Sequence, residues 1–174
     1  MVGTRKVIES IFRSARSREW EDVCELASKM DLSQGLELNG VPLLHYLIEQ
    51  DAPAVVVLNL LGMGYPSRAH KNYFVDPLAL CLHAARTDQS KAEIFAILLK
   101  YGADPNGFVD SGRTLLHEAV ARNLEFVTRQ LLAAGANPLK RDAFGLESET
   151  ALELACKLRN RSADVVIDWC KTES

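Results

Sequence analysis

The residues of this chain that could do chemistry include four histidines, and their spacing argues against a metal site. His117 is followed by Glu118, as in the zinc-binding pattern His-Glu-x-x-His, but Ala121 stands where the second histidine ligand would have to be. His70 and His83 have no cysteine or second histidine at a ligand spacing. We therefore expect no bound metal.

The cysteines, a second group of reactive side chains, are widely separated and form no Cys-x-x-Cys pair. They are Cys24, Cys81, Cys156 and Cys170. Each lies in an apolar, helix-like context, which favours reduced and mostly buried thiols that pack as small hydrophobic groups. A single reactive thiol stays open as an alternative. Reduced cysteines and an amino terminus without an apolar leader predict a cytoplasmic protein in a reducing environment, with secretion as an effector without a cleavable signal as the alternative.

Other sequence patterns that are typical of enzymes do not occur in the chain. It has no Gly-x-Ser-x-Gly turn, no glycine-rich phosphate loop and no pair of carboxylates in a conspicuous apolar setting. The doublet Gly62-Met63-Gly64 ends a predicted helix, whereas a phosphate site needs glycines that open one. We therefore predict a protein that is not an enzyme, holds no cofactor and takes no small-molecule substrate.

Charge and hydropathy narrow the classes of partner. The net charge of −3 and the pI near 5.8 weigh against nucleic-acid binding, which needs a concentrated positive field. The basic residues around the predicted first helix are Arg5, Lys6, Arg13, Arg16 and Arg18. An acidic cluster follows them at once, so we interpret them as a solvated helix face. No apolar run approaches the roughly 20 residues that cross a bilayer, so we expect no membrane partner.

A sequence repeat determines the predicted architecture. The segment Leu98-Leu99-Lys100-Tyr101-Gly102-Ala103-Asp104-Pro105 returns 33 residues later as Leu131-Leu132-Ala133-Ala134-Gly135-Ala136-Asn137-Pro138. A fixed period of this size is typical of stacked structural repeats, in which each unit buries its apolar face against its neighbours.

The best-matching unit resembles the ankyrin repeat, whose consensus has Gly-x-Thr-Pro-Leu-His-x-Ala and then a second helix ending Leu-Leu-x-x-Gly-Ala-Asp. The matching residues are Gly112, Thr114, Leu116, His117, Ala119, Leu131, Leu132, Gly135, Ala136 and Asn137. The resemblance implies that His45 and His117 are structural and join one repeat to the neighbouring loop. It also places Cys81 in a small-residue position between packed helices.

The resemblance extends, more weakly, over nearly the whole chain and suggests its division. It implies a single domain over 1–174, with an atypical amino-terminal helix pair at 4–36 and repeats at 37–70, 71–108, 109–141 and 142–174. The implied fold class is all-α, an ankyrin-repeat solenoid of stacked helix pairs with short β-turn fingers. The run Val55-Val56-Val57 favours a strand by propensity, but the repeat register predicts a helix there.

Capping residues support this division independently of the resemblance. Thr114 and Thr150 are suited to accept a hydrogen bond from an unpaired backbone N–H at a helix start. Asp76 has the same role before Pro77, whose missing N–H costs nothing at the first helical position. Glycines such as Gly135 follow apolar helices, where a left-handed cap is expected.

The resemblance also implies where a partner would bind, because ankyrin fingers and inner helices line a concave groove. The positions of this chain that map onto the groove and that we predict to bind the partner are Tyr46, His70, Asn72, Tyr73, Phe108, Asp110, Arg113, Arg122, Arg141 and Phe144; Leu38, Asn39 and His83 map there as well. Tyr, Phe and Arg supply most binding hot spots. The alternative is that Tyr73 and Phe144 only fill space within the fingers.

These observations favour a non-catalytic module that binds another protein through its concave face, as an inhibitor or adaptor. Two alternatives remain within the same fold: a structural scaffold subunit of a larger complex, which an exposed apolar patch on the convex face would favour, and a bacterial effector or immunity-type protein. An enzyme with an unrecognised site is the third class. The sequence does not identify the partner protein.

Overall fold

The computed structural model describes residues 2–33, 35–68, 75–84, 89–143, 145 and 148–172. Within these ranges the chain is mostly helical. The helices are α1 (Val2–Arg16), α2 (Trp20–Ala27), α3 (Leu43–Glu49), α4 (Ala54–Gly62), α5 (Pro77–Ala84), α6 (Gln89–Lys100), α7 (Leu115–Ala121), α8 (Glu125–Ala133), α9 (Ala151–Leu158) and α10 (Arg161–Thr172). Two short strands, β1 (Glu37–Leu38) and β2 (Val41–Pro42), precede α3.

The predicted caps begin three of these helices. Thr114 accepts a hydrogen bond from the backbone N–H of His117 at the start of α7, at 3.3 Å. Thr150 and Glu153 form a reciprocal capping box at the start of α9. Asp76 accepts the backbone N–H of Leu78 at 2.8 Å before α5. The capping predictions are therefore confirmed at all three positions.

Glycine ends the second helix of three successive pairs. Gly64, Gly102 and Gly135 have φ of +93°, +86° and +91°, values that a side chain makes unfavourable. Each glycine lets the next residue turn back onto its own helix. The backbone N–H of Ala136, for example, bonds the carbonyl of Leu131 at 2.9 Å. The valine run lies within α4, as the repeat register predicted.

The helices pack as two neighbouring rows. One row consists of α3, α5, α7 and α9 in contact order, and the other of α2, α4, α6, α8 and α10. The rows are joined within pairs, since α5 packs on α6, α7 on α8 and α9 on α10. One apolar cluster runs through the described residues from Ile11 in α1 to Val166 in α10. Successive helix pairs therefore bury each other's apolar faces.

Short hairpins precede α3, α7 and α9. In the first, Leu38 pairs with Val41 around Asn39-Gly40, whose φ angles of +53° and +82° suit a tight two-residue turn. Single antiparallel bridges replace the ladder before α7, at Phe108–Thr114, and before α9, at Arg141–Thr150. The corresponding segment before α5 includes 69–74, which lie outside the described residues.

The prediction that the cysteines are mostly buried is wrong. None of the four forms a disulfide. Cys81 is fully buried in α5, but Cys24 and Cys170 are only half-buried and Cys156 is exposed. Cys156 lies between Ala155, which faces the core, and Lys157, which faces solvent, so an apolar helical neighbourhood in sequence did not determine which side of α9 it occupies.

Candidate functional site

Two buried histidines, His45 and His117, each bind the segment that precedes the next helix pair. The Nε2 atom of His117 lies 3.0 Å from the backbone carbonyl oxygen of Glu149, and its Nδ1 lies 2.7 Å from Oγ1 of Thr114. Because a carbonyl can only accept, Nε2 carries the proton and Nδ1 accepts from the threonine hydroxyl. His45 makes the equivalent contact two helix pairs earlier, with Nε2 2.6 Å from the carbonyl oxygen of Val75.

The environment of His117 supports a structural role. Burial lowers the pKa of this imidazole from its ordinary value, and the nearby charge of Arg113 acts in the same direction. The hydrogen bond to Glu149 and the carboxylates of Asp142 and Glu149 oppose the shift. The ring therefore stays neutral near neutral pH and serves as a fixed hydrogen-bonding bridge. The structural role implied for His45 and His117 is consistent with these bridges.

The finger between α6 and α7 presents an aromatic ring beside a cation. Phe108 is 42% exposed, and the Nζ atom of Lys140 lies 4.4 Å from its ring centroid, within the range of a cation–π contact. Lys140 also donates to the carbonyl of Asn106 at 2.7 Å, which fixes its position. The ring is thus held in a defined orientation while its surface stays accessible.

The turn of the same finger carries two charged side chains. Asp110 is exposed and Arg113 is half-buried. The backbone between them is closed by two hydrogen bonds, from the N–H of Val109 to the carbonyl of Arg113 at 2.8 Å and from Gly112 to Val109 at 2.9 Å. Within the part of the chain that the structure describes, neither charged side chain forms an ion pair.

Adjacent fingers are joined directly. The backbone N–H of Ala143 donates to the carbonyl of Gly112 at 2.8 Å, so the segment around Arg141 lies beside the Phe108 finger. Arg141 is exposed but already occupied, because its guanidinium donates to the carbonyl of Ser148 at 2.5 Å and approaches Glu153 at 3.5 Å. The structure therefore brings the predicted residues Phe108, Asp110, Arg113 and Arg141 together on two neighbouring fingers; this set, with Lys140, is called the finger face below.

The other predicted site residues divide into two groups. Arg122 is exposed and ion-paired with Glu118 on its own helix α7. Tyr46, in α3, is half-buried against Phe12 of α1, with ring centroids 5.0 Å apart. The predicted residues that lie outside the described ranges are His70, Asn72, Tyr73 and Phe144.

A cleft next to Tyr46 is lined by residues that the sequence mapped onto a groove, Tyr46, Leu38 and Asn39, and by residues of α1 that it did not. It has a volume of about 390 Å³ and is lined by α1, the first hairpin and α3. Its principal side chains are Phe12, Arg13, Arg16, Leu38, Val41 and Tyr46. The sequence suggested only a solvated face for the arginines, because the hairpin that completes the cleft is more than 20 residues away. The spacing of Arg13 and Arg16 on one helical face was the available signal.

Two larger clefts lie in the second row of helices. One, of about 730 Å³, runs between α8 and α10 beside Trp169, and the other, of about 630 Å³, lies between the starts of α2 and α4 beside Trp20.

In the described ranges no three His, Cys, Asp or Glu side chains are grouped so that they could hold a metal ion. None of the described helices is both long and apolar enough to traverse a bilayer.

Comparison with known proteins identifies one segment of the chain. The family model of the ankyrin repeat matches residues 111–143, which comprise the end of the Phe108 finger, α7, α8 and the start of the next finger. A search of curated proteins found no match. The Thr114 cap, His117 and the left-handed Gly135 all lie within this segment, and the bridge of His117 reaches from it to Glu149. The chain therefore contains an ankyrin repeat, formed by residues 111–143.

Proposed function

We propose that this protein is a non-catalytic binding module that holds another protein on its finger face, as an inhibitor or an adaptor. Ankyrin repeats are generally non-catalytic interaction modules, and residues 111–143 form one. The observation that carries the proposal is the exposed Phe108 ring, flanked by Lys140 and by the free charges of Asp110 and Arg113, on a finger that His117 anchors to the next one.

The proposal includes the rest of the chain as units of the same kind. We propose a single ankyrin-repeat solenoid over 1–174, with the atypical pair at 4–36 followed by repeats at 37–70, 71–108, 109–141 and 142–174. Two features outside the matched segment support it. His45 repeats the bridge of His117, and Gly64 and Gly102 repeat the cap of Gly135.

Rigidity gives such a face its affinity. A surface whose loops and side chains are already ordered loses little conformational entropy when it binds. The Phe108 finger is ordered by backbone hydrogen bonds and by the lysine beside the ring. Aromatic and arginine side chains in such positions carry most of the binding free energy in protein interfaces. Occupying a partner's surface in this way needs no chemical step.

The test compares two surfaces of the same molecule. From lysate of the source cell, the wild-type chain should capture a partner protein. We expect the double variant Phe108→Ala/Arg113→Ala to capture at least about tenfold less of that protein, because two hot-spot side chains are lost. The matched control is Phe126→Ala, since Phe126 is 56% exposed on α8 in the other row. Immobilised proteins and quantitative mass spectrometry provide the measurement. Loss of capture with the control alone would place the binding face elsewhere.

A scaffold role is the second candidate, because one helix of the other row exposes apolar side chains. Val55 and Leu58 in α4 are 58% and 37% exposed, and Met63 just after it is 39% exposed. Val55 and Leu58 share one helical face. If Val55 and Leu58 form a permanent contact with another subunit, the variant Val55→Glu/Leu58→Glu should no longer capture partner proteins in the same experiment. The variant Phe108→Ala/Arg113→Ala should still capture them.

We propose that the module works in the reducing cytoplasm. The four cysteines, none of which forms a disulfide, support this location. Microscopy of the tagged protein in its source cell tests it, and retention in an oxidising compartment would contradict it.

A further inference from the structure

The cleft between α1 and the first hairpin has an apolar floor of fixed shape. Phe12 is 6% exposed, and its ring is tilted by 42° against Tyr46 at a centroid distance of 5.0 Å. Leu38 and Val41 are cross-strand partners in the hairpin and both are half-buried. These four side chains form a slot that can take one large apolar side chain of a ligand.

The base of the hairpin keeps this slot in place. The hydroxyl of Tyr65, a buried residue, donates to the carbonyl of Leu36 at 3.0 Å, and the backbone N–H of Leu36 approaches the same hydroxyl at 3.3 Å. Leu43 then donates to the carbonyl of Leu36 at 2.7 Å. The strands that carry the floor are therefore tied to the helical core, and the slot exists before any ligand arrives.

The rim of the cleft carries two unneutralised positive charges. Arg13 and Arg16 are exposed and lie three residues apart on α1. Among the described residues neither guanidinium has an ion-pair partner. The carboxylate of Glu9, which also lines the cleft, is held by Arg5 at 3.2 Å. The cleft is thus locally positive in a protein whose net charge is −3.

We propose that this cleft docks an acidic peptide segment of the partner protein, with an apolar side chain in the slot and carboxylates on Arg13 and Arg16. The inference rests on the proposed function and adds the chemistry of the partner. Arginine pairs with carboxylates through two parallel hydrogen bonds, which favours an acidic segment over a neutral one. A volume of about 390 Å³ is large enough for one anchoring aromatic side chain and the peptide residues beside it.

The test uses defined probes instead of the unknown partner. Fluorescein-labelled Gly-Asp-Glu-Glu-Phe-Glu-Asp-Gly is titrated with the full chain and followed by fluorescence anisotropy. Two comparison peptides replace all acids by their amides, or the phenylalanine by serine. A single-stranded oligo-thymidine of similar charge tests a nucleic acid in place of a peptide. Circular dichroism verifies that every protein variant is folded.

The expected result is binding of the acidic peptide with a dissociation constant below about 1 mM. Arg13→Gln/Arg16→Gln weakens that binding about tenfold, and each comparison peptide binds correspondingly less. The matched control Arg129→Gln/Arg161→Gln removes two arginines that line the α8–α10 cleft and leaves the affinity unchanged. Raising the salt concentration lowers the affinity of the wild type towards that of Arg13→Gln/Arg16→Gln.

Three results would overturn the inference: no binding of the acidic peptide up to about 1 mM, equal loss with the control arginines, or tighter binding of the oligonucleotide. Its failure is distinguishable from failure of the proposed function. Suppose that Phe108→Ala/Arg113→Ala abolishes capture from lysate, while Arg13→Gln/Arg16→Gln does not change the affinity for the peptide. The protein-binding function is then supported, and only the proposal of an acidic-peptide cleft is wrong. If instead the peptide depends on Arg13 and Arg16 while Phe108→Ala/Arg113→Ala does not reduce capture, the cleft is supported and the finger face is not the binding site.

Discussion

At the scale of single residues, the buried histidine of the ankyrin repeat is the most consequential side chain, because three groups depend on it. His117 satisfies the carbonyl of Glu149 and the hydroxyl of Thr114, and Thr114 in turn caps α7. Replacing a buried group of this kind leaves its partners without hydrogen bonds and costs about 1–3 kcal/mol. His117 therefore fixes the finger face without being part of it.

This role gives His117 a predicted pH signature. Its pKa in the folded chain is lowered from 6.5, mainly by burial, so the folded state disfavours the proton that the unfolded state accepts. The stability that it contributes is present above about pH 6.5 and is lost as the pH falls through the folded pKa. We expect the difference in unfolding free energy between wild type and His117→Gln to narrow as the pH falls from about 8 to about 5.5.

Urea unfolding followed by circular dichroism measures this difference. The comparison with His117→Gln is necessary because burial raises the pKa of Asp76, which gives a pH dependence of the opposite sign. Both proteins keep Asp76, so its contribution cancels. A difference that stays constant over this pH range would mean that the imidazole titrates alike in both states and would contradict the bridge.

Residues with local partners could be predicted from the sequence pattern, whereas distant contacts could be predicted only where the repeat resemblance implied them, as at His117. Thr114 caps a helix three residues away, and the pattern predicted it. Lys91 is buried in α6, where its ammonium contacts the carbonyl of Ile48 and lies 3.1 Å from Asp51. No local pattern reports a lysine whose partners lie about 40 residues earlier, since only the packing of α6 near the end of α3 brings them together.

At the scale of elements, helix ends are specified more sharply than the clefts between helices. Threonine sets the start of a helix through a local side-chain hydrogen bond and glycine sets its end through backbone geometry, which is why α7 begins after Thr114 and α8 ends before Gly135 as predicted. The cleft beside Tyr46 depends instead on the angle at which α1 meets the first hairpin. Long-range packing determines that angle, so the binding potential of Phe12, Arg13 and Arg16 was visible only in the structure.

Alanine substitutions at Gly135 and Gly62 test whether backbone conformation sets the end of a helix. Gly135 has φ of +91°, and a Cβ added there would meet nothing within 4 Å, so only backbone strain opposes a side chain. Gly62 is the last residue of α4, with helical backbone, and a Cβ there would make an ordinary contact of 3.8 Å with the Tyr101 hydroxyl. We expect Gly135→Ala to destabilise the protein by about 1–2 kcal/mol and Gly62→Ala to stabilise it by about 0.5–1 kcal/mol.

Urea unfolding curves of the two alanine variants and the wild type provide the measurement. Both positions end the second helix of a pair and both gain the same methyl group, so each variant is the control for the other. Shifts of the same sign would show that the left-handed cap at Gly135 is not required. Gly135→Asn should recover part of the loss, because asparagine tolerates this conformation better than alanine.

At the scale of the whole molecule, contacts between successive pairs decide whether the chain unfolds as one unit. The bridges reach from one pair to the next, as in Asn106 to Asn137 at 2.8 Å and Asn160 to Val120 at 2.9 Å. Together with the continuous apolar cluster, they make each pair dependent on its neighbours. Isolated helices of 7–15 residues are only marginally stable in water. We therefore expect a helix pair separated from its neighbours to unfold.

The two tryptophans can test this coupling, since Trp20 lies in α2 and Trp169 in α10, at opposite ends of the row. The variant Trp169→Phe keeps only Trp20, and Trp20→Phe keeps only Trp169, so the fluorescence of each variant reports one end of the row. In each variant we expect the urea midpoint from fluorescence to equal the midpoint from circular dichroism. Val166→Ala removes buried methyl groups in α10 and should lower both midpoints equally, because nearest-neighbour interfaces transmit the loss along a short array. If Val166→Ala moved only the Trp169 signal, the helix pairs would be independent units, and the proposal of one continuous repeat domain would fail.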